Sequence, residues 1–184
     1  MEAFGGKDPF VAELVKCVEQ EPRFEVGVYH QEIHEMSEMA AVHFGHYAHS
    51  NQPSHHILYM FTIGGRPDLT QKWVRKVLTE LYSPEDFCGD EDTGAMAAWY
   101  VLSSLGLYSL CPGKPQWMLG SPLWKSADLR LGQKGRTLKI RTTGDPTTEP
   151  YRASLSVDGV EHKGDVVQHA DLAKAQTLQF TLKA

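Results

Sequence analysis

Along the first 110 residues, apolar positions recur every three or four residues, the spacing of helices that turn one face to a core. Phe10, Val11, Leu14, Val15 and Val18 form such a face, with Asp8 as cap and Pro9 as the first helical residue. A second stretch runs from His34 to Ala48 and carries Met36, Met39, Ala40 and Phe44. Pro53 opens a third, with Ile57, Leu58, Met60 and Phe61, closed by Gly64-Gly65. Asp68 caps a fourth, where Leu69, Trp73, Val74, Val77, Leu78 and Leu81 make a long stripe. A fifth spans Thr93 to Leu105, with Met96, Trp99 and Tyr100, and ends at Gly106. The short connections predict antiparallel αα-hairpins; a bundle, a solenoid and an α/α toroid all satisfy that pattern.

After Gly113 the period becomes two. Leu129 and Leu131, Leu138 and Ile140, Leu155 and Val157, and Leu178, Phe180 and Leu182 alternate with polar residues, and Asp158-Gly159 between two short runs predicts a hairpin turn. The expected fold class is α+β, with helical hairpins over 1–112 and a small antiparallel β region over 113–184. A sheet of that size with one apolar face needs a partner surface.

Composition changes this picture mainly by exclusion. Hydrophobic residues at 41% with 22% charged are those of a globular chain. A net charge of −5 lacks the basic footprint of a nucleic-acid binder, and neither a lysine run nor a spanning apolar stretch points to a membrane. The first residues show no charged and apolar regions of a signal peptide. Cys17, Cys88 and Cys111 fit no zinc or disulfide spacing and read as buried thiols.

Two clusters could carry chemistry. The first is Cys88-Gly89-Asp90-Glu91-Asp92-Thr93-Gly94, just before the fifth helix. In an extended loop Asp90 and Asp92 face one side, where they could bind a hard cation or activate and orient a water. The plainer reading makes Asp92 a helix cap in a solvated turn. The second cluster runs from Tyr47 to His56, with Asn51 and Gln52 offering amide oxygens suited to calcium and histidines able to bond sugar hydroxyls. His43, His46 and His49 at i, i+3 and i+6 would drift around a helix by roughly 60° per step, a poor stripe for zinc. Tyr47, Tyr59, Trp99 and Tyr100 could stack on a sugar, but at helical spacing they read first as core.

Three segments together resemble the signature of the inverting, calcium-dependent exo-α-mannosidases of glycoside hydrolase family 92. They are His34 to Met39 leading into Tyr47–His56 (YAHSNQPSHH), Cys88–Trp99 (CGDEDTGAMAAW) and Leu105–Pro122 (LGLYSLCPGKPQWMLGSP). The resemblance implies hydrolysis of terminal α-mannosides with inversion, on α-mannoside glycans, with Ca²⁺ holding the sugar's 2- and 3-hydroxyls. It implies that 1–112 is the last part of an α/α toroid, and that 113–184 packs on an N-terminal β-sandwich supplied by another part of the same enzyme. Carried onto this chain, Asp92 is the general base and Asp90 assists; Asn51, Gln52 and Asp92 serve the metal; His56 and His49 contact substrate. Gln52 stands where many relatives have Glu, one negative charge fewer at the metal. The family's general acid is expected upstream of the aligned residues, with Glu32, Glu35 and Glu38 on a structural helix. The isolated chain is then expected to be inactive, with Leu69, Trp73 and Val77 partly uncovered. The resemblance implies a secreted or periplasmic location. A non-catalytic carbohydrate-binding or partner-binding remnant is the competing reading.

Overall fold

Five helices appear where the helical period predicts them, with shifted ends: α1 (Lys7–Glu19), α2 (His34–Ala41), α3 (Ile57–Ile63), α4 (Pro67–Glu80) and α5 (Thr93–Ser104). The computed structural model describes residues 1–184 apart from 22–25, 86–87, 89–91 and 133–134, and does not describe the side chains of Tyr29, Glu35 and Glu38. α1 starts on Gly6 rather than Asp8, which lies in its first turn. α2 ends at Ala41, seven residues short of the expected Ala48. Glu32 precedes α2; the Glu35 and Glu38 side chains lie outside the described residues.

The early end of α2 has a steric cause. His43 and Gly45 adopt left-handed φ of 55° and 64°, and His46 N–H donates to the Cys17 carbonyl at 2.7 Å. A Cβ at Gly45 would stand 2.6 Å from that same carbonyl oxygen. The chain therefore turns against the end of α1 through a position that only glycine fits. His43 and His46 consequently leave the helix, and the three-histidine stripe does not form.

α3 and α4 form the predicted hairpin around Gly64-Gly65, pinned where Thr70 Oγ1 donates to the Leu58 carbonyl at 2.9 Å. The α4 stripe is covered rather than exposed: Trp73, Val74, Val77 and Leu78 are buried and Leu69 is half-buried, packed with α1, α3, Phe44, Tyr47 and Trp99 in one core. The expectation of uncovered Trp73 and Val77 fails because this chain's own hairpins enclose them. Among the described residues the exposed large apolar side chains lie elsewhere, as at Val101 on α5, Val28 and Trp124.

Strands begin before the Cys111–Gly113 turn. β1 (Leu107–Tyr108) pairs antiparallel with β2 (Gln116–Leu119), which pairs with β7 (Val166–Gln168). The second sheet runs β3 (Ser126–Leu131), β4 (Arg136–Thr143), β8 (Thr177–Lys183), β5 (Tyr151–Val157), β6 (Val160–His162), with a short helix α6 (His169–Leu172) ahead of β8. β4 and β8 are parallel, so this sheet is mixed and the all-antiparallel expectation is corrected. Period-two patterning tells which face is buried but not strand direction. Asp158-Gly159 does turn β5 into β6, both at positive φ. The alternating inner positions Leu138, Ile140, Leu155, Leu178 and Phe180 form a second core.

The helical and sheet layers meet through charged side chains that satisfy buried backbone. Arg75 of α4 donates to the Pro146 and Pro122 carbonyls at 2.7 and 2.8 Å and to Ser121 Oγ at 3.1 Å. Gln71 accepts the Arg152 N–H at 2.6 Å, and Arg152 pairs with Asp165 at 2.5 Å. Adjacent residues of β2 divide between the cores: Met118 joins the helices and Leu119 the sheets. Cys17 and Cys88 are half-buried while Cys111 is exposed, against the expectation of three buried thiols. Among the described residues no helix is long and apolar enough to cross a membrane.

Gly45→Ala is expected to lower the unfolding free energy by about 2 kcal/mol or more, through left-handed strain and the carbonyl clash. Gly113→Ala, where an added Cβ meets open space, should stay within about 0.5 kcal/mol. Urea unfolding of both variants checks the contrast.

Candidate functional site

The segment 47–56 leaves α2's broken end and folds onto itself before α3. Ser54 Oγ donates to the Ala48 and Asn51 carbonyls at 2.5 and 2.8 Å, and His55 Nε2–H donates to the His49 carbonyl at 2.9 Å. These bonds satisfy a tight loop's backbone, and they place Asn51 on an exposed corner with Gln52 half-buried behind it. His56 is exposed, its Nδ1–H donating to the Pro53 carbonyl at 2.8 Å. Since a carbonyl only accepts, Nδ1 carries the hydrogen of this bond.

His49 has a different fate. It is 1% exposed, with Nδ1 2.8 Å from the Tyr47 hydroxyl and Nε2 2.8 Å from the Tyr82 hydroxyl. Its ring lies 4.4 Å from His55 and 4.4 Å from Trp99. Burial first, and neighbouring His55 second, push its pKa down to about 2, so the imidazole is neutral. Burial also lowers His55, against the opposing hydrogen bond to the His49 carbonyl. Both His49 nitrogens are engaged within the chain, by the Tyr47 and Tyr82 hydroxyls. Tyr47, Tyr59 and Trp99 are buried in the same cluster and serve as core, as their spacing suggested. Trp99 Nε1 is buried with no hydrogen-bond partner among the described residues.

The acidic loop ends at Asp92, the N-cap residue of α5. Its carbonyl accepts the Ala95 and Met96 N–H groups at 2.8 and 3.1 Å, yet its side chain makes no capping hydrogen bond. The residue is exposed and left-handed, φ 49° and ψ 43°, a conformation that costs a non-glycine residue free energy. The extended geometry expected of the loop fails at this residue. Asp90 lies outside the described residues.

The two clusters are brought together at His49. Through Tyr82 it reaches the residues preceding the acidic loop, and through Trp99 it packs on α5. A cavity of about 180 Å³ beside it is lined by Met39, Ala41, Val42, His49, Ser50, Leu81 and Cys88, joining both segments. The family resemblance singled out His49 and His56 but gave no role to Tyr82 or His55. Tyr82 follows the α4 stripe with no motif of its own, and His55 differs from His56 only in facing inward. Among the described residues no three His, Cys, Asp or Glu side chains converge on a metal position.

The model of the glycosyl hydrolase family 92 catalytic domain matches residues 1–184 in full. The chain belongs to glycosyl hydrolase family 92. Solved structures agree in fold. The family 92 α-mannosidase BT3965 from Bacteroides thetaiotaomicron, in complex with mannoimidazole, superposes with a TM-score of 0.82 at 24% identity, over 97% of this chain and 22% of that one. The family 92 inverting mannosidase BT2199 from the same organism gives 0.78 at 34% identity, over 99% of this chain and 25% of its own. A third, the family 92 hydrolase ccman5, gives 0.76 at 20% identity over 98% and 26%. This family 92 chain thus spans about a quarter of the length of these solved relatives. No curated protein matches it in sequence.

The neutral, buried His49 gives a pH prediction. Its folded pKa is below its unfolded value of 6.5, so the unfolded chain takes up more protons in acid. Stability is full above about pH 6.5 and falls as pH drops, by about 1.5 kcal/mol between about pH 6.5 and 5 from His49 alone. His55 adds loss of the same sign. Urea unfolding across that window checks it, and a flat profile contradicts it.

Proposed function

We propose that this chain supplies the water-activating and metal-binding side of a site that hydrolyses terminal α-mannosides with inversion. The observation that carries the reading is the His49–Tyr82 hydrogen bond, which draws the 47–56 segment against the residues leading into the acidic loop, in a chain matching family 92 throughout. Asp92 acts as general base, its exposed carboxylate spent on no cap of its own helix. Asp90 assists it in holding the water. His56 offers an acceptor to a sugar hydroxyl; His49 enters the site only through what it holds in place. The helical hairpins belong to an α/α toroid, and the sheets return to an N-terminal β-sandwich.

Calcium fits the donor chemistry. Asn51 and Gln52 amide oxygens and the Asp92 carboxylate are hard ligands without thiolate, three of the six to eight oxygens that calcium takes, with sugar hydroxyls and water supplying others. When bound, the ion would polarise the sugar's 2- and 3-hydroxyls. An inverting site also needs an acid carboxyl about 6.5–9.5 Å from the base, on the leaving-group side. That acid belongs to another part of the enzyme, so the 184-residue chain alone gives no enzymatic turnover of an aryl α-mannoside with calcium.

The direct test is a chimera in which this chain replaces the matching segment of BT2199. The chimera should hydrolyse α-mannosides, and Asp92→Asn in it should cut kcat by about 10²–10⁴-fold with an unchanged melting temperature. Retained kcat in the Asn variant sinks the base assignment. A folded chimera that binds but does not cleave supports a carbohydrate-binding remnant instead.

A further inference from the structure

Two buried polar side chains, Tyr47 and His49, and the half-buried Tyr82 form a continuous relay whose hydrogen-bond directions follow from its far end. The Tyr82 hydroxyl donates to the Met96 carbonyl at 3.2 Å. Its oxygen therefore accepts the proton on His49 Nε2, at 2.8 Å. Nδ1 of that neutral ring is then an acceptor, and takes the Tyr47 hydroxyl proton at 2.8 Å. One orientation satisfies every group, from Tyr47 through His49 and Tyr82 to the first turn of α5. Met96 in turn holds Asp92, whose carbonyl accepts the Met96 N–H. At the other end, Asn51 lies two residues beyond His49, in the loop closed by the His55 bond to the His49 carbonyl.

We infer that Tyr47, His49 and Tyr82 are positioning residues that fix the Asn51–Gln52 loop relative to Asp92. The inference rests on the proposed reading of those two segments as one site. A core needing only bulk here would be filled by apolar side chains, whereas a fully satisfied buried network selects one geometry. On the proposed reading, that geometry would hold two loops from different parts of the chain beside one cation and one attacking water.

The test uses the 184-residue chain and two hydroxyl deletions. Tyr82→Phe cuts the relay. Tyr59→Phe is the control: it removes a buried hydroxyl that bonds Ser103 near the other end of α5. Imidazole ¹⁵N spectra of the parent chain should show His49 as the neutral Nε2–H tautomer. Tyr82→Phe should speed amide exchange in the first turn of α5 by about tenfold beyond any global loss of stability, and Tyr59→Phe should not. Calcium affinity by calorimetry should fall about 10–100-fold in Tyr82→Phe and hold in Tyr59→Phe, as for groups that orient metal ligands. An Nδ1–H tautomer, or equal exchange effects from the two variants, overturns the relay. Equal calcium affinities with an intact exchange difference overturn the positioning role. A parent chain that binds no calcium refutes the metal reading and with it the positioning role, while the tautomer and the exchange data still decide the relay itself.

Discussion

A single neutral imidazole, buried with a tyrosine hydroxyl on each nitrogen, is the constraint on which the site's arrangement depends. Burial pushes the His49 pKa down to about 2, and the ring ties the Tyr47 hydroxyl to the Tyr82 hydroxyl. Two segments some forty residues apart in sequence are thereby held in one register. Exposed Asn51 and half-buried Gln52 lie in the segment on one side of His49, and exposed Asp92 begins α5 on the other.

That frame depends on how the two layers are joined. The helical core and the sheet core are separate, and β2 contributes to both through consecutive side chains. Between them, Arg75 and Arg152 satisfy carbonyls that would otherwise be buried unpaired at the seam. A seam built on charged donors to backbone is directional, so α4 cannot slide over the sheets without losing several bonds at once. α4 also supplies the wall against which α3 and α5 pack. The sheets thus act on the site at one remove, by fixing α4.

Local signals in the sequence carried much of this. The α4 stripe, the Gly64-Gly65 turn and the Asp158-Gly159 hairpin each have a short-range cause, and each forms as expected. What was not legible depends on contacts between distant residues. Gly45 ends α2 because the Cys17 carbonyl occupies the space a side chain would need, and nothing near Gly45 in sequence records that. The parallel β4–β8 pairing follows from the path of the chain through β5, β6, β7 and α6, not from alternation. At the site, motif resemblance singled out Asp92, Asn51, Gln52, His49 and His56, but not the hydrogen bonds that His49 makes to Tyr47 and Tyr82. Whether a histidine faces a cavity or a pair of tyrosines is a tertiary fact; Tyr82, which decides it, carries no motif.

On the proposed reading, the loop at 50–53 and the segment that leads into α5 respond to ligand as one site. Amide shifts of the ¹⁵N-labelled chain, followed during titration with Ca²⁺ and then methyl α-mannoside, test it most directly. The account predicts concerted changes in both segments with a single apparent affinity, and little change in β3 to β6. Changes confined to one segment, or two segments responding with separate affinities, would contradict it.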